Sequence, residues 1–405
     1  IHNIIIYYDL AIFCYLVLQY VTCTKFEIDD KFNILTKISM QITNPLSTLS
    51  VETYGLILML LSAVFFSCMG TFVKLAGETG FPSTELVFYR AIFQGVLVLF
   101  YMCRYTDTSV SSDEEQKLLI LEPFGKTKEV IPTVICRGVM GALNFTFKFY
   151  AIMSLPLGDA ITLFSLHPII TVYMAWLFLD EKIRPSHIFA ALATITGAVL
   201  MAGPTFLFND DGDDEEVEID KLGYLTAILG SFSAAGVLVL IRKAGNLGVH
   251  TTQLLFSFTV FGSLLAIIIG MTIGLKIEGM WVMPPSAKSY WFLFGMCGIG
   301  SIGQLLLNYA GRLAPAGLGS IARSSDILWG YILEVIVFHE IPSWTTLVGV
   351  ILILIALITV AYEKVKDEYK LIRPSTNNVP GEDKGASIEM RYKSMDEIIP
   401  QGVQA

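Results

Sequence analysis

The chain has 405 residues, of which 54% are hydrophobic and only 16% are charged. Soluble domains usually carry about 25% charged residues, so this composition excludes an ordinary soluble protein. The formal net charge of −9 says little about partners, because eight of the acidic residues lie together in residues 210–220, and nothing in the sequence indicates nucleic acid. The six cysteines show neither CxxC nor metal-ligand spacing, which predicts no disulfide framework, no metal and no cofactor.

An internal repeat organises the chain. Residues 135–181 recur without a gap at residues 294–340, shifted by 159 positions (340 − 181). A second shift, of 168 positions (223 − 55), relates the segments that precede them. The matched pairs include Gly55 with Gly223, Gly141 with Gly300, Tyr150 with Tyr309, Pro156 with Pro315, Ser165 with Ser324 and Glu181 with Glu340. The sequence therefore predicts two copies of one unit, residues 52–204 and 221–363.

Each unit contains five apolar runs of about 20 residues, the length that crosses a bilayer as a helix. The predicted spans are residues 54–75, 84–103, 131–153, 158–179, 187–202, 222–241, 252–275, 290–313, 317–338 and 344–362. Pro168 lies ten residues into the fourth span and predicts a kink there. The predicted fold is thus an all-α integral membrane protein with ten transmembrane helices.

Three segments fall outside the predicted core. Residues 1–50 form an N-terminal segment whose apolar stretch at 4–23 has no counterpart in the repeat, and an extra helix and a signal-like segment are both open interpretations. Residues 205–220 form an acidic linker. Residues 364–405 are charged and then rich in Pro, Gly, Ser and Asn, which predicts a disordered cytoplasmic tail.

The distribution of Lys and Arg in the loops predicts the orientation. Most of these residues fall on one side when both ends of the ten-helix core are placed in the cytoplasm. Because each unit has an odd number of spans, the second unit enters the membrane from the opposite face. The repeat is therefore predicted to be inverted, as in secondary transporters that alternate access around a site near the bilayer midplane.

Ionisable residues within spans are candidate functional groups, because an ionised side chain near the bilayer centre costs roughly 2.5–3.5 kcal/mol on insertion scales. Away from the span ends, four bases and two acids lie within the spans: Arg90, Arg137, Lys148, Arg323, Asp326 and Glu334. The excess of two positive charges (4 − 2) predicts a cavity that favours an anionic substrate, such as a carboxylate or phosphate held by arginine.

The third span carries a polar stripe at helical spacing. Arg137, Gly141, Asn144 and Lys148 are separated by four, three and four residues, which places them on one face. Such a face is predicted to line the bundle interior, with Arg137, Asn144 and Lys148 as substrate-binding residues. Two other interpretations stay open, because Lys148 could snorkel to the interface and Arg137 could anchor the cytoplasmic end.

Two candidate coupling groups occupy equivalent positions in the repeat. Asp326 on the ninth span lies three residues after Arg323, and His167 is its repeat equivalent (167 + 159). Asp326 is interpreted either as one half of a structural ion pair or as a group that takes a proton when substrate binds Arg323. His167 is interpreted either as a packed polar residue or as a second proton-linked group.

The second and eighth spans supply the remaining candidates for substrate binding. Arg90 is the preferred anion contact on the second span, with Gln94 one turn further on. Gln304 and Asn308, at i and i+4 on the eighth span, offer neutral hydrogen bonds, although polar contacts between helices are an equally good explanation. No HExxH, GxSxG or P-loop motif is present, so the chain is predicted not to be an enzyme.

Several short stretches resemble a known family. The PLGDA sequence at 156–160, together with ten spans in an inverted repeat, is similar to the drug/metabolite transporter superfamily with two EamA repeats. The stretches FYRAIFQ at 88–94, RGVMG at 137–141, FLF at 206–208 and IPSW at 341–344 resemble the solute carrier 35 family, particularly its G branch. The resemblance implies a metabolite exporter or exchanger whose pocket lies between the first four spans of each half, with the fifth and tenth spans more peripheral.

The sequence is therefore interpreted as a secondary transporter of a small, anionic metabolite that works by alternating access, with proton coupling as a further expectation. Its partners are the lipid bilayer and the substrate, and a homodimer is compatible with the sequence. A plasma membrane or an endoplasmic reticulum or Golgi location is expected. Two alternatives remain: a nucleotide-sugar or neutral-metabolite exchanger, and a membrane scaffold or regulator that does not transport.

Overall fold

The computed structural model describes residues 51–104, 122–155, 157–203, 221–274, 287–338 and 344–372, and these form helices with short connections and no strand. The helices are α1 Val51–Glu78, α2 Ser83–Arg104, α3 Val130–Ser154, α4 Leu157–Phe164, α5 His167–Leu179, α6 Pro185–Ala202, α7 Lys221–Asn246, α8 Thr251–Gly274, α9 Ala287–Leu313, α10 Ala316–Arg323, α11 Ser325–Phe338 and α12 Trp344–Ile372. The N-terminal segment, the acidic linker and residues 373–405 lie outside the described residues.

The helices are long and apolar enough to cross a membrane. Nine helical stretches of the described chain qualify by length and hydropathy, with α4 and α5 counted as one stretch from Asp159 to Leu179. The remaining predicted span is the pair α10 and α11. Large apolar side chains on the outer faces are exposed, among them Val96, Phe178 and Ile358. A bilayer, rather than water, is the solvent that such faces fit. The protein is an all-helical, multi-pass membrane protein.

The two repeats pack against each other through equivalent helices. The largest contacts join α1 to α9, α3 to α7 and α6 to α12. The first two pairs each combine the first span of one repeat with the third span of the other, and the last pair joins the two fifth spans. Small residues permit this approach: a Cβ atom on Gly55 would lie 2.8 Å from the backbone nitrogen of Ala314. A Cβ on its repeat equivalent, Gly223, would lie 2.8 Å from the side chains of Ser154 and Leu155. The hydrophobic core lies along this interface between the repeats.

The fourth and ninth spans are both broken near their middle. The fourth divides into α4 and α5 just before Pro168, which occupies the first turn of α5, as the sequence predicts. The ninth was predicted as one span, 317–338, and the structure instead divides it at Ser324. No proline occurs there, but the Ser324 hydroxyl donates to the Ser320 carbonyl at 3.0 Å, a back-bond that commonly bends helices.

Helix α12 extends beyond the predicted tenth span. It continues to Ile372, so residues 364–372, the first part of the predicted tail, are helical. Near the end of the apolar part of α12, Glu363 accepts hydrogen bonds from Arg184 Nη1 at 2.6 Å and from the Ser186 hydroxyl at 2.5 Å. Lys364 forms an ion pair with Glu52 at the start of α1. These contacts hold the C-terminal part of α12 at the end of the bundle where α1 and α6 begin.

Candidate functional site

A cavity of about 480 Å³ lies between the two repeats. Its walls come mainly from α1, α3, α7 and α11, with further contributions from α9 and from residues around the breaks in the fourth and ninth spans. Helices α6 and α12 contribute only Met201, Ala202 and Thr346. Because α6 ends at Ala202 and α12 begins at Trp344, the cavity extends from the middle of the bundle to the end where these two residues lie.

Six of the ten sequence-predicted site residues line this cavity, and four do not. Those that line it are Asn144, Lys148, His167, Gln304, Arg323 and Asp326. Those that lie behind its wall are Arg90, Gln94, Arg137 and Asn308, all of them almost fully buried. The predicted residues thus form two layers, one facing the cavity and one beneath it.

Lys148 supplies a cation to the cavity wall. It lies two turns after Gly141 on α3, and both residues line the cavity together with Asn144 between them. The Lys148 ammonium is 5.7 Å from the centre of the Phe164 ring. Among the described residues no carboxylate lies within ion-pair distance of it. The side chain therefore faces the cavity, as the stripe on the third span predicts, and remains available to a ligand.

Arg323 and Asp326 form an ion pair at the break in the ninth span. The Arg323 Nη1 atom is 2.8 Å from Asp326 Oδ2, and the Arg323 Cζ atom is 4.2 Å from the centre of the Phe66 ring. Each charge also suits its helix end, because Arg323 closes α10 and Asp326 lies in the first turn of α11. Both side chains line the cavity, so the pair is open to competition from a bound ligand.

His167 connects the two helix breaks. Its Nδ1 atom is 2.9 Å from the Phe164 carbonyl oxygen, and only a protonated Nδ1 can donate to that acceptor. Its Nε2 atom is 3.4 Å from the Ser324 hydroxyl, which donates to the Ser320 carbonyl. A proton added at Nε2 would therefore find the Ser324 oxygen as an acceptor. In the neutral imidazole, Nε2 can accept from Ser324 only if the hydroxyl gives up its bond to the Ser320 carbonyl.

Arg137 and Asn308 join the repeats beneath the cavity. The Nε and Nη2 atoms of Arg137 both donate to Asn308 Oδ1, at 3.1 and 2.9 Å. Asn308 Nδ2 in turn donates to the Gln304 carbonyl at 2.6 Å. Arg137 is 0% exposed, so it does not act as the interfacial anchor that the sequence left open. Its contacts in this conformation are with protein rather than with the cavity.

Arg90 lies in an aromatic cage. Its Cζ atom is 3.7 Å from the centre of the Phe145 ring, a close cation–π contact. Its Nη2 atom is within 3.4 Å of Gln304 Oε1, so Gln304 both lines the cavity and binds the buried arginine. Gln94, one turn further on α2, donates to the Leu255 carbonyl at 3.5 Å and holds α2 against α8.

Sequence reasoning missed one face of α1. Ser67, Gly70, Thr71 and Lys74 line the cavity, and their spacing of three, one and three residues is that of one helix face. Lys74 was not among the candidate residues, because it lies at the end of the first predicted span. The presence of three polar or small residues on the same face was the signal that could have identified it.

Two inverted helical repeats that enclose a cavity lined by several cations define a membrane transporter. The chain belongs to the EamA-like transporter family, whose model matches residues 53–203 and 221–362. This match confirms the resemblance stated from the sequence. The family and its relatives are transporters, which is consistent with a protein that is not an enzyme.

Individual relatives agree with the family. The chain is 29% identical over 314 residues to human solute carrier family 35 member G1, covering 76% of this chain and 79% of that protein. It is 27% identical over 317 residues to the pseudopaline exporter CntI of Pseudomonas aeruginosa, covering 76% of this chain and 96% of the exporter. A solved crystal structure, 16% identical, aligns with a TM-score of 0.58 over 77% of this chain and 99% of its own, which shows the shared fold.

Proposed function

We propose that the protein transports a small organic anion through the cavity between the repeats. The observation that carries the proposal is Lys148, a cavity-facing ammonium group with no carboxylate in ion-pair range among the described residues. A carboxylate or phosphate that enters the cavity would provide the missing counter-charge. Arg323, whose partner Asp326 also faces the cavity, would give a second contact to the same anion.

The neutral polar groups of the cavity would orient the ligand. Asn144 and Gln304 offer amide donors and acceptors, and the rings of Phe66, Phe145 and Phe164 supply an apolar surface. A cavity of about 480 Å³ is within the range of small-molecule sites. This combination fits a metabolite with a compact carbon skeleton and an acidic group.

Alternating access is the mechanism that the two-fold arrangement supports best. The equivalent pairs α1 with α9 and α3 with α7 meet around the cavity, and the fourth and ninth spans each contain a break beside it. Rocking of the repeats about these contacts would open one end as the other closes. With the core termini in the cytoplasm, the cavity would open to the extracytoplasmic side in this conformation.

Proton coupling would act through Asp326 and His167. An anion that binds Arg323 competes with Asp326 for the guanidinium group, and a carboxylate that loses its counter-ion in an apolar setting favours its protonated form. His167 lies at the equivalent break of the other repeat and keeps an acceptor for a second proton at Ser324. Anion entry and proton uptake would then be linked.

Counterflow in proteoliposomes tests the proposal. Purified protein is loaded with an unlabelled compound and presented with the labelled form, for a panel of mono- and dicarboxylates, amino acids and nucleotide sugars. We expect saturable counterflow of a carboxylate. Counterflow restricted to neutral amino acids would contradict the anion assignment and leave the transporter assignment intact. Counterflow restricted to nucleotide sugars would contradict the compact substrate but not its negative charge.

A further inference from the structure

The buried arginines beneath the cavity have hydrogen-bonding capacity that the protein does not use. Arg137 Nη1 and the Nε and Nη1 atoms of Arg90 are buried and have no acceptor among the described residues. Neither guanidinium group has a carboxylate within ion-pair distance in that part of the chain. Two buried cations without a counter-ion are unfavourable, since contacts with neutral groups replace only part of the hydration that each charge loses.

Arg137 Nη1 lies directly behind the cavity wall. Gly141 lines the cavity one turn after Arg137, and a Cβ atom on Gly141 would lie only 2.6 Å from Arg137 Nη1. The glycine thus leaves this N–H group next to the space that a ligand can reach. Gln304, which also lines the cavity, binds Arg90 on the other side of the same region.

We propose that Arg137, with Arg90 behind it, forms a second anion subsite at the floor of the cavity, and that the transported ligand carries two acidic groups. One acidic group binds Lys148 and Arg323, and the other reaches Arg137 past Gly141. This inference rests on the proposed function and specifies its substrate class. Gly141 and Lys148 are two helical turns apart, about 10 Å along α3, so the two acidic groups are separated by a short carbon chain.

Binding of matched ligand pairs measures the second subsite. Each dicarboxylate from succinate to suberate is compared with its monomethyl ester, which has almost the same length and one charge less. Apparent dissociation constants are obtained from ligand-dependent thermal stabilisation of the purified full chain. We expect the wild type to bind the best dicarboxylate at least about tenfold more tightly than its monoester, and to show an optimum of chain length.

Two variants test the assignment to Arg137. Arg137→Gln removes the charge, and we expect the dicarboxylate and the monoester to bind alike, with no length optimum. Gly141→Ala retains the charge of Arg137, but its added methyl group displaces the flexible guanidinium tip of Arg137. We expect this variant also to lose the preference for the dicarboxylate over its monoester. Gly298→Ala is the matched control, because Gly298 does not line the cavity and a Cβ there meets no atom within 4 Å.

Each outcome decides the proposal. Equal binding of diacid and monoester by the wild type overturns it, as does a preference that survives in both Arg137→Gln and Gly141→Ala. Tighter monoester binding in the presence of sulfate or chloride, lost in Arg137→Gln, would assign the subsite to a separate inorganic ion and overturn the diacid ligand. If no anion stabilises the wild type, the proposed function itself fails, which is a distinct result.

Discussion

The carboxylate of Glu181 accepts the backbone N–H of Ala316, with 2.9 Å between Oε1 and the nitrogen. Its other oxygen accepts the N–H of Gly317 at 3.2 Å. Glu181 follows α5 in the first repeat, and Ala316 begins α10 in the second, so the contact joins the two repeats. The contact lies at the end of the bundle opposite the end to which the cavity extends. A carboxylate at the N-terminus of α10 is also favoured by the dipole of that helix. In the proposed alternating-access mechanism, this contact would keep one end closed while the cavity is open at the other.

Glu181→Gln should loosen this closed end. The amide keeps the size of the side chain but has one acceptor oxygen and no charge, so it cannot satisfy both N–H groups equally. We expect hydrogen exchange of the amides in residues 316–319 to rise by about tenfold, the effect of losing one charge-assisted hydrogen bond.

Asp180→Asn is the matched control for this exchange measurement. Asp180 is exposed, and its backbone φ of 55° is one that asparagine adopts readily. The same acid-to-amide change one residue earlier should leave exchange unaltered. Equal exchange in Glu181→Gln and Asp180→Asn would contradict the role given to Glu181.

Arg242→Gln should lower the stability of the protein. Arg242 Nη1 donates to the carbonyls of Arg312 and Leu313, at 2.8 and 2.9 Å, and so satisfies two acceptors at the end of α9. Their loss should reduce the free energy of unfolding by about 1–3 kcal/mol in a detergent-based denaturation assay. Lys243→Gln removes the neighbouring, exposed charge and should hardly change the free energy of unfolding. Equal losses of stability in the two variants would contradict the role given to the Arg242 hydrogen bonds.

Gly349→Ala should separate α6 from α12. A Cβ on Gly349 would lie 2.5 Å from the carbonyl oxygen of Gly197, and backbone atoms cannot move aside without shifting a helix. We expect thermal unfolding to occur at a lower temperature, with a cost of about 1–3 kcal/mol. Gly298→Ala on α9, where a Cβ meets no atom within 4 Å, should instead be neutral or slightly stabilising. A neutral Gly349→Ala would contradict this close packing.

Asp326→Asn should uncouple transport from protons. Asparagine keeps the volume of Asp326 but cannot take up a proton, and it leaves Arg323 without its carboxylate partner at 2.8 Å. We expect uptake driven by an inward proton gradient to lose its stimulation, while counterflow without a gradient persists. Glu78→Gln, at the exposed end of α1, serves as the control. Full stimulation in Asp326→Asn would remove Asp326 from the coupling mechanism.

The spacing of residues along one span predicted those site residues whose position depends on that helix alone. Asn144 and Lys148 reach the cavity because their spacing from Gly141 keeps them on one face of α3. The same rule placed Arg137 on that face, yet its guanidinium group turns to Asn308 on α9. That partner is set by how the repeats pack, which the pattern of one helix does not contain.

The break in the ninth span shows the same limit. Pro168 predicts the break beside His167, because the proline ring is incompatible with a continuous helix. Ser324 gives no such signal on its own, although the internal repeat pairs it with Ser165 at the equivalent break. Reading the repeat as a structural equivalence, rather than as a similarity of residues, would have predicted both breaks.

The most direct test of the account is uptake of the anion identified by counterflow, compared between Lys148→Gln and Lys182→Gln. Lys182 is exposed in the connection between α5 and α6, away from the cavity, so its variant controls for loss of one positive charge. The account predicts that Lys148→Gln lowers kcat/KM by about tenfold or more, while Lys182→Gln transports like the wild type. Equal transport by both variants, in protein that remains folded, would contradict the claim that Lys148 binds the anion.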